Sequence, residues 1–155
     1  LKRSVKLPIT YQQLEGDGFH IFTEIKVFGD TYFALIDSGA SKTVFSSMFI
    51  EKYPQIEIIE IEDNNIAAGI GEGKVEAQMA KFNLIELGRA KVYDLYCGLI
   101  DLEHVSETYK AMGLQPFDVI IGGDILKLLN AEISYKEDYI KLLPIEKPAE
   151  NKGGI

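Results

Sequence analysis

The sequence predicts a mainly β fold, and three observations carry that prediction. Residues 19–28, 31–36, 74–86 and 90–100 are runs of strand length, rich in β-branched and aromatic side chains. Gly16-Asp17-Gly18 and Gly29-Asp30 punctuate the first of these runs as turns, the second making a hairpin that leads into residues 31–36. Helical spacing is confined to short windows, which limits the chain to two or three short helices.

Before the first hairpin, residues 2–10 read as one short strand with Val5, Leu7 and Ile9 on one face. Pro8, which has no N–H to give a ladder, places that strand at a sheet edge. Thr43, Val44, Phe45 and Ser46 form a brief apolar strand. Ser46 or Ser47 is then positioned to cap a helix that Pro54 ends near Tyr53. Residues 56–61 alternate Ile with Glu and suggest a half-exposed strand. Gly69, Gly71 and Gly73, set between two strand-like segments, mark a mobile hairpin tip.

Residues 101–113 break the pattern. Leu102, Val105, Tyr109 and Met112 recur at helical spacing, with Asp101 as cap and Gly113 as stop. Val119 to Ile121 is a short buried strand, and Asp124 is read as the cap of a helix carrying Ile125, Leu126, Leu128 and Leu129. Residues 131–135 and 139–143 close the chain as a hairpin around Lys136, Glu137 and Asp138.

The chain has 155 residues and is expected to form one domain over 1–145, with 146–155 as a flexible C-terminal tail. It contains no apolar run long enough to span a bilayer. A net charge of −8 argues against nucleic-acid binding, which needs clustered Lys and Arg. Cys97 is the single cysteine, so an intrachain disulfide and a cysteine metal cage are excluded; its expected role is a small apolar filler. His20 and His104 show no metal-ligand spacing, and no metal or other cofactor is expected. No signal peptide is visible, and a cytoplasmic location is favoured slightly. The start at Leu1 leaves an upstream signal or anchor open, so compartment stays undecided.

The chemistry concentrates in Phe33-Ala34-Leu35-Ile36-Asp37-Ser38-Gly39-Ala40-Ser41. Asp37 follows four apolar residues, where a strand leaves the core and a carboxylate is costly unless it has a use. Gly39 permits a sharp turn and close backbone approach, and Ser38 is able to fix that turn. Much later comes Phe117-Asp118-Val119-Ile120-Ile121-Gly122-Gly123-Asp124-Ile125-Leu126. The two segments, in this order and separation, resemble the retropepsin-like aspartic proteases, over roughly residues 19–143.

That resemblance implies an acid-protease-like barrel, closed or partly open, and an aspartic endopeptidase. Peptide hydrolysis by aspartates needs two carboxylates sharing one proton, and this chain supplies a single Asp-Ser-Gly. A homodimer acting on an extended peptide is therefore implied, with Asp37 of each subunit catalytic. Ser38, Gly39 and Ala40 would support the loop. Ala67, Ala68, Gly69, Ile70 and Gly71 would belong to a flap closing on the substrate, and Ile120, Ile121 and Gly122 would brace the loop from behind. Many family members pair an Arg after the second-motif glycine with an acid after the catalytic turn. Here those positions are Gly123 and Ser41. The absent ion pair favours a rival reading, a catalytically inactive fold used as a peptide-binding or dimerisation module. A third reading is a monomer that pairs with another protein's Asp-containing domain.

Overall fold

The structure, a computed structural model, describes residues 3–59 and 78–149. In chain order these form β1 (Val5–Pro8), β2 (Thr10–Gln13), β3 (Phe19–Val27), β4 (Asp30–Ile36), β5 (Val44–Ser46), α1 (Phe49–Lys52), β6 (Glu57–Ile59), β7 (Gln78–Leu87) and β8 (Ala90–Ile100). There follow α2 (Glu103–Ala111), β9 (Val119–Ile121), α3 (Gly123–Leu128), β10 (Glu132–Ser134) and β11 (Tyr139–Leu142). The described residues are mostly β with three helices, as the sequence predicts.

Six strands close on themselves in the order β3-β4-β9-β5-β8-β7, the seam being Lys26 against Glu86 and Val27 against Ile85. Closure leaves no open edge within the ring. β2 extends the sheet beyond β3, and β6 beyond β7. A separate three-stranded sheet, β1-β11-β10, packs with the barrel. Its Val5, Ile140 and Leu142 join the main core with Phe45, Phe49, Phe82, Ile85 and Leu99. Phe45 and Phe82 stack at 4.0 Å within it.

Several local expectations shift. Residues 2–10 form two strands rather than one, because the chain changes sheets at Ile9. Pro8 ends β1, and the Ile9 N–H donates to Asp138 O at 3.1 Å. Val27 pairs with Asp30, so the hairpin turns on Phe28 and Gly29, both at positive φ (51° and 80°). This is the twist that two-residue hairpins favour. Phe28 accepts a conformation unusual for a bulky residue, and its ring stacks on Tyr53 at 4.5 Å. The helix before Pro54 is a single turn whose N-cap is Met48, with no side-chain cap from Ser46 or Ser47. Ser46 Oγ instead accepts from the Met48 N–H at 3.3 Å, and the Ser47 carbonyl from Ile50 at 3.1 Å. Asp101 does act at the start of α2, accepting the Glu103 N–H at 2.9 Å. Met112, however, is exposed.

α2 roofs a second, smaller cluster in which Phe22, Leu35, Tyr109 and Phe117 are buried and Phe33, Val105, Leu114 and Ile120 pack against them. The two clusters use opposite faces of the same strands. Leu35 and Ile120 face α2, while Ala34, Ile36, Val119 and Ile121 face the barrel interior, as the two-residue period of a strand requires.

Tyr11 ties β2 to the turn before β11, its Oη donating to Asp138 Oδ1 at 2.7 Å. That hydrogen bond pushes the phenol up to about 12 from its ordinary 10.0. A pKa raised on folding stabilises below the unfolded value and is lost as pH rises through the folded one. The difference in denaturant midpoint between the wild type and Tyr11→Phe should therefore persist up to about pH 10 and vanish by about pH 12.

Candidate active site

β4 delivers the chain from the barrel to Asp37. Ile36 is buried, whereas Asp37, Ser38 and Gly39 are exposed and Ala40 is half-buried. The Asp37 N–H donates to Ile121 O at 2.9 Å, continuing the parallel β4–β9 pairing that sets Leu35 beside Ile120 and Ile36 beside Ile121. The Ala40 N–H returns to Asp37 O at 3.1 Å and closes a tight turn. Within it the Gly39 N–H donates to Asp37 Oδ1 at 2.9 Å, fixing the carboxylate. A Cβ on Gly39 would stand 3.2 Å from that same oxygen, so a side chain here would crowd the carboxylate.

The far side of the turn rests on the β9–α3 junction. A Cβ on Gly122 would lie 2.6 Å from the Lys42 carbonyl carbon and oxygen and 2.8 Å from Ala40 O. Only glycine lets the two backbones meet there. The Gly123 N–H donates to Ala40 O at 2.7 Å, so Gly123, where an Arg would be expected by resemblance, holds the loop through its backbone.

Thr43 and Asp124 complete the support, in roles the sequence reading did not assign. Thr43 is fully buried. Its N–H donates to Asp124 Oδ1 and Oδ2 (2.9 and 3.0 Å) and its hydroxyl to Oδ1 (2.7 Å). Thr43 Oγ1 accepts the Gly122 N–H at 3.1 Å. Asp124 was expected to cap α3, but the N-cap is Gly122 and no side-chain cap bond is made there. Asp124 lies inside the first turn, where its Oδ1 accepts the Ile125 N–H at 2.8 Å, and its carboxylate also reaches across to Thr43 because that residue offers two donors. Nothing in the spacing marks Thr43: a threonine before an apolar strand is ordinary, and its partner is 81 residues away.

Asp37 and Ser38 line a hollow of about 170 Å³ with Phe19, His20, Ile21, Ile36, Ile133 and Tyr135. Phe19 and Tyr135 are exposed, and with Tyr11 they form an open aromatic cluster, centroids 5.3 to 6.4 Å apart. A larger hollow of about 410 Å³, beside Thr10, Glu24, Lys26 and Glu86, contains none of the Asp37 loop. The expected flap residues Ala67, Ala68, Gly69, Ile70 and Gly71 lie outside the described residues. Cys97 is fully buried and burial pushes its thiol up, which suits a filler and not a nucleophile.

The family profile described as aspartyl protease matches residues 23–125, from β3 through the Asp37 loop to α3. The chain belongs to the aspartyl protease family. Among relatives, it is 23% identical over 130 residues to DNA damage-inducible protein 1 of Kluyveromyces lactis. That match takes in 83% of this chain and 27% of the relative, so the chain spans about a quarter of that protein's length. Two solved structures share the fold. The retroviral protease-like domain of Ddi1 from Leishmania major has a TM-score of 0.50 and 16% identity, covering 83% of this chain and 95% of that one. The retropepsin-like aspartic protease from Rickettsia conorii gives 0.53 and 11%, covering 92% and 90%. The fold of this aspartyl protease family member is thus retropepsin-like.

Two substitutions probe the loop's seat. Thr43→Val keeps the shape but removes the hydroxyl from a carboxylate and a buried N–H. It should lower unfolding free energy by about 2–3 kcal/mol. Gly122→Ala should cost at least roughly 1–3 kcal/mol, because the clash is with backbone and no rotamer relieves it. Denaturant unfolding of each variant measures both effects.

Proposed function

We propose that this chain is an aspartic endopeptidase that works as a homodimer, with Asp37 of each subunit forming the catalytic pair. The observation that carries the reading is the state of Asp37. It stands exposed at the end of a buried strand, one carboxylate oxygen held by the Gly39 N–H. Among the described residues the other oxygen has no hydrogen-bond partner, which leaves it open to a water and to a second carboxylate.

In such a pair, like charge at close range keeps one proton shared between the two carboxylates. The ionised group would take a proton from a water, which attacks the peptide carbonyl, while the protonated one gives its proton to the carbonyl oxygen. Collapse of the tetrahedral species would then release the amine as it gains a proton. The two groups titrate as a unit. The hollow beside Asp37 supports a docking surface for the second copy: Ile133, Tyr135 and Phe19 place apolar area directly beside the loop. Ser38 would meet its twin there. Residues 67–71 keep their proposed role as a flap over the peptide. The rival reading, an inactive module, drew on the missing Arg–acid pair; the Thr43–Asp124 and Gly123–Ala40 bonds supply support to the loop by another route.

Asp37→Asn should abolish peptide cleavage with circular dichroism and unfolding midpoint little changed. Full activity in that variant would sink the proposal. Tyr135→Asp with Phe19→Asp should shift sedimentation toward monomer and reduce specific activity in step. If the variant dimerises normally, the contact surface lies elsewhere.

A further inference from the structure

α2 covers the outer face of β4, the strand that ends one residue before Asp37. By strand alternation Phe33 and Leu35 share one face of β4, and both lie in the cluster that α2 roofs. The β3–β4 register ends with Phe22 opposite Leu35, and His20, two residues before Phe22, lines the same hollow as Asp37. His20 is bound from α2: its Nδ1 makes a hydrogen bond with the Tyr109 hydroxyl, and the rings lie at 19° to each other with centroids 6.3 Å apart. Among the described residues that hydroxyl has no other partner, and burial pushes its pKa up. Tyr109 also packs edge-on against Phe117 at 5.0 Å and Phe22 at 6.4 Å, leaving Phe22 fully buried and Leu35 nearly so.

We infer that α2 is a specificity element: Tyr109 fills the apolar space beside the Asp37 loop and holds His20 as the polar rim, so that small or hydrogen-bonding side chains flank the scissile bond. This rests on the reading of Asp37 as the peptidase carboxylate. A large apolar side chain lying against this wall competes with Tyr109 for Phe22 and Leu35. A small residue does not, and one with a hydroxyl or amide meets the His20 imidazole. In a homodimer the same wall stands on both sides of the cleaved bond.

The test is a cleavage-site profile on a proteome-derived peptide library, with Asp37→Asn as the blank. The wild type should favour Ser, Thr, Asn or Gly at the flanking positions. Tyr109→Ala should raise the ratio of large apolar to small residues there by about tenfold or more, the scale on which an apolar pocket discriminates. Tyr109→Leu should move it the same way, and serves if the Ala variant does not fold. Tyr109→Phe keeps the ring and should keep the size limit, while losing the preference for Thr over its isostere Val. Cleavage seen only in the Ala or Leu variant supports the inference as complete occlusion. Asp37-dependent cleavage with the same profile in all variants overturns it and leaves the proposed function standing. No Asp37-dependent cleavage in any of them overturns both.

Discussion

The backbone contact between Gly122 and residues 40–42 is the constraint on which the Asp37 loop depends. It brings the β9–α3 junction so close beneath the turn that a methyl group has no room. Four groups then converge on one small volume. The Gly123 N–H takes the Ala40 carbonyl, the Gly122 N–H takes the Thr43 hydroxyl, and Asp124 takes the Thr43 N–H and O–H. Thr43 is fully buried, and unmade bonds in a buried place are expensive. The turn is thus over-determined on its inner side while Asp37 stays exposed on the outer side. Rigid support beneath an open carboxylate is what a preorganised site requires.

The strands around the loop have two working faces. One closes the barrel over Phe45, Phe82 and Ile121; the other carries Phe22, Leu35 and Ile120 under α2. A strand buried on both faces reads as a continuous apolar run. Phe33-Ala34-Leu35-Ile36 is such a run, and it needs a cover on its outer face. α2 provides that cover.

Most of the architecture was legible in the sequence because strand patterning is local. The span of β8 coincides with its run of alternating residues, and Val119–Ile121 announced itself by three β-branched residues before two glycines. The Asp37 loop was legible because its glycine and its two flanking strands lie within a dozen residues. Other features depend on distant partners and left no local mark. Asp124 looks like a cap because a carboxylate at a helix start commonly is one; its preference for Thr43 exists only once β5 and α3 are adjacent. His20 looked like an ordinary strand residue until Tyr109, 89 residues away, reached it. The split of residues 2–10 at Ile9 was hidden for the same reason. Both halves are good strands, and only the location of β11 decides that they belong to different sheets.

Cys97 offers one more consequence. It sits near one end of the longest ladder of the barrel, opposite Ala80, fully buried, with its thiol held in the unreactive protonated form by that burial. It is also the chain's sole sulfhydryl. A thiol reagent therefore has no competing target, and it reaches this one only when the β7–β8 pair parts. The rate of labelling becomes a clock for breathing of the barrel itself, independent of any catalytic assay. Contacts formed elsewhere on the surface, whether with a second copy or with a bound peptide, would be read as a slowing of that clock.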